Sequence, residues 1–432
     1  MSGTDIMAHS AIILRPDPSR TVVRPFSPED PAGFADPARP RARRIVDRVL
    51  GMNDDQLEED RKRVTESLDE RHRDVDALLL RRFEEVAAQV GLDRSDIDRP
   101  RALLIGAYFC EEYSYEAAAL FNPSIIAHPD QSGMSDGALR FILSLRGIGE
   151  GHVSSVTFRT GTWTPGGLPE IDTPSTVAMP PIIERRGGDD DATVVRLHCG
   201  GSRDVSETVL FPVTPSQRQG IEDLRLVEFT EDDGTRRYHG TYTAYSGAAA
   251  RSELLSSDDF QSFEMRPLAG DAAGGKGMAL FPRRVNGRYA MIGRHDNENI
   301  WLLDSDDLHT WNGGRRIVRP HYPWEFVQMG NCGSPIELDE GWLLLTHGVG
   351  TVRNYCVGAC LLDKEDPSKV LARMPLPLIH PSPKERDGYV PNVVYSCGGL
   401  VRGRTLLLPY GVADDFATFA TVGVDDLLAA ME

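Results

Sequence analysis

Long apolar runs are missing from this 432-residue sequence, and none approaches the roughly twenty residues needed to span a bilayer. Its first residues also lack a basic start followed by a hydrophobic core, so no membrane partner and no export are expected and a cytoplasmic location is inferred. Positive charge is short: 47 Lys and Arg face 65 Asp and Glu, a net charge of −18, which argues against a nucleic-acid partner. Cysteine is sparse. The six, at positions 110, 199, 332, 356, 360 and 397, are too few and scattered for a disulfide framework, so reduced thiols are expected. Cys356 and Cys360 would share one face of a strand near His347, but no second ligand pair follows at structural-zinc spacing. No metal and no cofactor are therefore expected.

One phosphate-binding signature also falls short. Gly270-Asp271-Ala272-Ala273-Gly274-Gly275-Lys276 fits a G-x-x-x-x-G-K loop, but Gly277 stands where the magnesium-binding Ser or Thr belongs. The next residues carry Pro282 and an Asn286-Gly287 turn between apolar runs, which predicts a hairpin rather than the helix that such a loop requires.

What the sequence does have is repetition. Apolar phrases recur at Phe141-Ile142-Leu143-Ser144-Leu145-Arg146, Thr241-Tyr242-Thr243-Ala244-Tyr245, Tyr289-Ala290-Met291-Ile292-Gly293-Arg294, Leu343-Leu344-Leu345-Thr346-His347-Gly348 and Leu406-Leu407-Leu408-Pro409-Tyr410-Gly411. The last four are separated by about fifty to sixty residues, a length suited to blades of four short strands. The fold class expected is all-β, a five-bladed β-propeller over residues 111–432. Before it, residues 1–44 are rich in Pro and Arg and predict an extended arm, and residues 45–110 predict a helical extension. There Asn53 with Gln56 forms a capping pattern, Leu57, Val64, Leu68, Val75, Leu79, Val86 and Val90 step by seven and four, and Gly91 is a stop. Such a stripe is expected to lie on the propeller flank or to mediate homo-oligomerisation.

The chemistry concentrates at Gly220-Ile221-Glu222-Asp223-Leu224-Arg225. Two carboxyls and a guanidinium at a strand entry supply proton-transfer and anion-holding groups, and the following Tyr238–Tyr245 run offers rings for a sugar. Trp301, Trp311, Trp324 and Trp342 are further stacking candidates, of which one or two at most are assigned to ligand, since aromatics in β repeats are commonly core.

Taken in order, Phe121-Asn122-Pro123, the strand ending at Arg146, Gly220-x-Glu222-Asp223-x-Arg225, Lys276 with Leu280-Phe281-Pro282, Trp324-Glu325, Gly341-Trp342-Leu343 with His347-Gly348-Val349, Leu361-Leu362-Asp363, and Tyr410-Gly411-Val412-Ala413-Asp414 resemble glycoside hydrolase family 130. That family comprises five-bladed propellers that cleave β-mannosides with phosphate or with water. The resemblance implies an oligosaccharide substrate and Asp223 as proton donor, relayed through a mannosyl hydroxyl. It further implies Asn122, Arg146 and Asp414, with Glu222 and Arg225, as substrate-binding residues, and Lys276, Arg294, His347 and Tyr355 around the attacking phosphate or water.

Three departures bear on which nucleophile is used. The family commonly has Pro after Glu-Asp, His before the Arg at 294 and an acid after the Lys at 276, where this chain has Leu224, Gly293 and Gly277. A weakened anion pocket favours hydrolysis, with Glu150 or Glu325 as the base and inversion at the anomeric carbon. The alternatives are a phosphorylase, with inorganic phosphate as co-substrate and α-mannose 1-phosphate as product, and a non-catalytic glycan-binding propeller.

Overall fold

The structure is a computed structural model describing residues 6–187, 193–382 and 387–432. Contacts divide the chain into two compact units, Ser19–Ser114 with Ser175–Pro180, and Met1–Pro18, Tyr115–Pro174 and Pro181–Glu432. Among the described residues no helix is long and apolar enough to cross a membrane.

The smaller unit is built from helices α1 (Arg41–Leu50), α2 (Asp54–Asp69), α3 (Val75–Val90) and α4 (Arg99–Tyr108). Their ends follow local chemistry. The Asn53 side chain accepts the Gln56 amide hydrogen at the start of α2, and Gly91 closes α3 at φ 64°, a left-handed cap that costs glycine little. The apolar stripe predicted from sequence is covered inside this unit: Leu57 and Val86 join Val46, Phe83, Leu104 and Ile105 in one core, while Val75 and Leu79 pack with Leu103. It therefore needs neither a propeller flank nor a second copy to bury it, and it gives no argument for self-association. The expected extended arm is in part a paired strand, and its last residues already enter α1 at Arg41. Thr21–Pro25 is a strand paired with Cys110–Ser114, and its adjacent Val22 and Val23, which point to opposite faces, are both buried, so the ribbon is covered on both sides there.

Among the described residues the larger unit is mainly antiparallel β, with the short helix α5 (Val424–Ala429) and single 3-10 turns. Its strands form five successive runs. The first is Ala119–Ala127, Leu139–Ile148 and Ser154–Trp163; the second is Gly220–Thr230, Arg236–Tyr245, Ala250–Ser257 and Ser262–Pro267. A single parallel pairing of Ser154 with Gly220 joins those two. The third is Ala279–Leu280, Tyr289–Gly293, Ile300–Ser305 and Arg315–Val318, with Asn286 and Gly287 both at positive φ in the predicted hairpin turn. Gln328–Asn331, Trp342–Val349, Tyr355–Leu362 and Val370–Arg373 make the fourth. In the fifth, Val394–Tyr395, Thr405–Val412 and Phe416–Gly423 are extended by Ala8–His9 from the other end of the chain. Every repeated phrase read from the sequence lies on the second strand of its run. Trp342–Val349 is buried at all eight positions, so a continuous apolar phrase marks a strand covered on both faces.

Neighbouring runs share cores. Phe158 meets Phe260 and Phe263, Phe229 and Leu254 pack with Leu280 and Trp311, Ile292 and Leu302 with Trp342 and Leu344, Leu343 and Val357 with Leu406 and Tyr410, and Leu407 and Phe419 with Leu120 and Leu143. A cavity of about 300 Å³ is lined from all five by Ile125, Leu226, Pro282, Ile336 and Leu400.

A close helix contact offers a test. A Cβ added at Gly106 of α4 would lie 2.0 Å from the Leu79 carbonyl oxygen of α3, a backbone atom that cannot rotate away. Gly106→Ala should destabilise the chain by about 1–3 kcal/mol through forced separation of the helices. An unchanged denaturation midpoint, followed by the helical circular dichroism signal, would contradict this contact.

Candidate active site

The site begins with a fault in a strand. Gly220–Thr230 pairs regularly with Arg236–Tyr245 except between Glu222 and Arg225, where the register slips and Asp223 takes φ 55°. Adjacent residues of a regular strand point to opposite faces, whereas the bulge lets both acidic side chains reach one cation. Arg146 donates from Nη2 to Glu222 Oε1 at 2.9 Å and from Nη1 to Asp223 Oδ1 at 3.2 Å, while its Nε donates to Ser154 Oγ. A second slip, between Phe121 and Ser124, puts Asn122 at φ 49° and its Nδ2 2.8 Å from Asp223 Oδ1. Asp414 is left-handed too, at φ 51°, in the turn between Thr405–Val412 and Phe416–Gly423. Non-glycine residues seldom sit there, and their gathering around one carboxylate is the kind of strain found at functional sites.

Electrostatics separates the acids. Burial alone would raise the Asp223 carboxyl, but Arg146, Arg225, the Asn122 amide and Lys276 together hold it down at about 2. Asp414 is pushed up to about 6 by burial, with Asp223 and Glu222 adding repulsion against the pull of Arg146 and Arg353. Glu222 lies between Arg146 and Lys276, whose Nζ is 2.5 Å from its Oε2.

The cations next to this group are set by glycines. A Cβ on Gly277 would fall 2.4 Å from Arg294 Nε, and one on Gly330 would fall 2.7 Å from Arg294 Cδ and 2.4 Å from His347 Cε1. Gly277, at φ 89°, thus makes room for Arg294 beside Lys276, so its replacement of the family's acid does not open the pocket. His347 is fully buried, and burial, then Arg294 and Arg225, press its protonation far below the ordinary range. With Nδ1 3.2 Å from the Asn331 carbonyl oxygen, the neutral ring places its hydrogen there and leaves Nε2 as an acceptor. Its ring stacks on Tyr355 at 6.1 Å. Asn331 donates to the Gly277 carbonyl oxygen, tying the two glycine-bearing segments together. Asn122 Oδ1, Arg294 Nε and His347 Nε2 are buried without a hydrogen-bond partner, which leaves three polar atoms for a ligand.

Several expectations are corrected. Arg225 is 1% exposed and donates to the Asp223 carbonyl oxygen and the Tyr395 hydroxyl, so it braces the acid from within rather than holding sugar. Both Glu325 oxygens contact Arg373 at 2.9 Å, and Oε2 also accepts from the His321 and Tyr322 amides, so this buried carboxylate is spent on loop structure. Glu150 is exposed in the Glu150–His152 turn, in solvent rather than among the buried acids. Trp311, Trp324 and Trp342 are core. A Cβ on Gly293 would lie 2.9 Å from Leu303 Cδ1, the end of a side chain that would have to shift, and His295 Nδ1 lies 3.6 Å from the same point. Asn331, Gly330, Tyr395 and Ser154 were not singled out in the sequence, since one amide, one hydroxyl or one glycine carries no spacing signal.

The model of the family described as beta-1,4-mannooligosaccharide phosphorylase matches residues 203–432, more than half of the chain. The chain belongs to glycoside hydrolase family 130. It is 35% identical over 228 residues to a 1,2-beta-oligomannan phosphorylase of a Thermoanaerobacter species, covering 52% of this chain and 75% of that enzyme. A beta-1,2-mannobiose phosphorylase of Listeria innocua is 31% identical over 231 residues, 52% of this chain and 63% of its own length. The solved structure of the Listeria innocua beta-1,2-mannobiose phosphorylase in complex with beta-1,2-mannobiose shares the fold at a TM-score of 0.51 and 22% identity, over 74% of this chain and 92% of that one. These curated relatives are phosphorylases by name, which overturns the expectation of hydrolysis drawn from Gly277 and Gly293.

Asp414 gives a pH test of the site. Its carboxyl ionises in the unfolded chain within the ordinary range but in the folded chain only near 6, so folding is penalised increasingly as pH rises through that interval. The melting temperature of Asp414→Asn relative to wild type should therefore climb as pH is raised to about 6 and then level off. A difference that is flat with pH would refute the assignment.

Proposed function

We propose that this protein is a β-mannoside phosphorylase acting on β-1,2-linked mannobiose or short oligomannosides. The observation carrying this reading is the arrangement of Lys276, Arg294 and His347, with unpartnered Arg294 Nε and His347 Nε2, in the same group of side chains as the Asp223 carboxylate. The phosphorylase names of the relatives support it. The larger unit is read as a five-bladed propeller, supported by the unbroken cycle of shared cores and by the cavity lined from all five runs. The larger unit would then be the catalytic domain, which differs from residues 111–432 in that Cys110–Ser114 pairs with Thr21–Pro25 in the smaller unit.

In the reaction, a phosphate oxygen attacks the anomeric carbon as the glycosidic bond breaks on the opposite side, giving α-mannose 1-phosphate and a shortened sugar. Asn122, Arg146, Glu222 and Asp414 hold the mannosyl unit. Lys276 and Arg294 hold phosphate as cations, and neutral His347, stacked on Tyr355, accepts a P–OH hydrogen at Nε2. Hydrogenphosphate arrives with one proton and the leaving hydroxyl departs with one, so the cycle needs no outside acid. Asp223 is ionised in the empty site. A bound dianion offsets Lys276 and Arg294, raising Asp223 so that it can take up that proton and pass it to the leaving oxygen. No metal or organic cofactor is required by this scheme.

Incubation with β-1,2-mannobiose should release α-mannose 1-phosphate and mannose only when phosphate is supplied. Release of free mannose alone, at an equal rate in phosphate-free buffer, would overturn the proposal. Asp223→Asn should lose about two to four orders of magnitude in turnover, since the amide keeps the shape but cannot donate the proton, and should melt at a lower temperature because Arg146 loses a charged partner. Arg294→Ala should raise the KM for phosphate by roughly ten- to a hundredfold, the loss of one charge-assisted bond. A phosphate KM within about twofold of wild type would remove Arg294 from the anion site.

A further inference from the structure

His152 and Tyr389 form an exposed aromatic pair that the chemistry above does not use. Their rings stack at 5.8 Å and 28°, Tyr389 is 73% exposed, and His152 is also on the surface. Burial does not explain the contact, and His152 is held at φ 58°, a conformation unfavourable for its side chain. Both rings are carried by segments tied to the site. Gln219 Nε2 donates to the carbonyl oxygen of Gly151, and Gly220, next to Gln219, pairs with Ser154, whose hydroxyl holds Arg146. On the other side the Val390 amide donates to the Ala413 carbonyl oxygen, and a Cβ on Gly388 would lie 2.5 Å from that same oxygen. Ala413 precedes Asp414. Each ring is thus fixed one or two residues from backbone that positions a mannosyl-binding side chain, yet each stands out in solvent rather than in the buried pocket.

We propose that the His152–Tyr389 pair is the platform for the sugar on the leaving side of the scissile bond, a proposal that rests on the phosphorylase reading. The C–H face of a pyranose packs on an aromatic face, and a ring already stacked on a neighbour loses little freedom when it receives one. A platform outside the buried carboxylates suits the acceptor unit, because the mannosyl unit that reacts must lie against Asp223.

The test uses the full chain with Tyr389→Ala, Tyr389→Phe and His152→Ala. In phosphorolysis of β-1,2-mannobiose, and in the reverse reaction from α-mannose 1-phosphate and mannose, Tyr389→Ala and His152→Ala should raise the KM for mannobiose and for acceptor mannose about three- to tenfold, the worth of one aromatic contact. The KM values for phosphate and α-mannose 1-phosphate should stay within about twofold, and Tyr389→Phe should behave as wild type. Unchanged acceptor KM values would overturn the platform, and so would equal losses in every constant with a lowered melting temperature, which would mark a structural pair. Calorimetric titration with β-1,2-mannobiose in the absence of phosphate separates the two claims. If the wild-type chain proves inactive with phosphate while Tyr389→Ala weakens its binding of β-1,2-mannobiose, the phosphorylase reading falls and the platform stands.

Discussion

The fork of Arg146 across Glu222 and Asp223 is the interaction on which the site depends. One guanidinium satisfies two adjacent acids from a neighbouring run, at 2.9 and 3.2 Å, and a third bond to Ser154 fixes its plane. Removing one partner from such a buried group typically costs about 3–5 kcal/mol, because the remaining charge is stranded in a poorly solvated place. The same contact orders the acids by protonation: Asp223 is held at about 2 while Asp414, sharing the field of Arg146 but with less compensation, rises to about 6. Backbone and electrostatics are therefore one problem here, since only the bulge at left-handed Asp223 lets both acids meet the fork.

Absence of side chains shapes the other half of the site. Gly277 and Gly330 leave the volume in which Arg294 and His347 lie, and their Cβ positions are already taken by those side chains. Enclosure then acts on chemistry. A histidine buried beside two guanidiniums stays neutral, and its ring orientation, set by the Asn331 carbonyl oxygen, leaves a lone pair for a ligand. Lys276, on the segment next to Gly277, closes the group by pairing with Glu222, so the acid pair and the cation cluster are electrically continuous.

Much of the fold was legible in the sequence. Five apolar phrases marked the second strands of five antiparallel runs because a strand covered on both faces is largely apolar, and Asn53, Gly91 and Asn286-Gly287 announced their caps and turn through local side-chain capping and backbone preference. The same local signals could not say what covers the helical stripe, which is buried by other helices of its own unit, nor that the Pro-rich start of the chain is paired as strands.

For the site, the sequence by itself determined the family and the acids at 222 and 223, since ordered motifs over a long stretch are specific without coordinates. Tertiary structure decided which like residues differ in role. Glu325 and Glu222 are equal as letters, yet one is held by Arg373 and loop amides while the other joins Arg146 to Lys276. Arg225 and Arg146 both adjoin Asp223, but one is sealed within and the other opens to the site. Gly277 reads as a loss until Arg294 is seen in its place. The reason is physical: the reach, burial and charge of a side chain are set by neighbours remote in sequence, and no spacing rule encodes them.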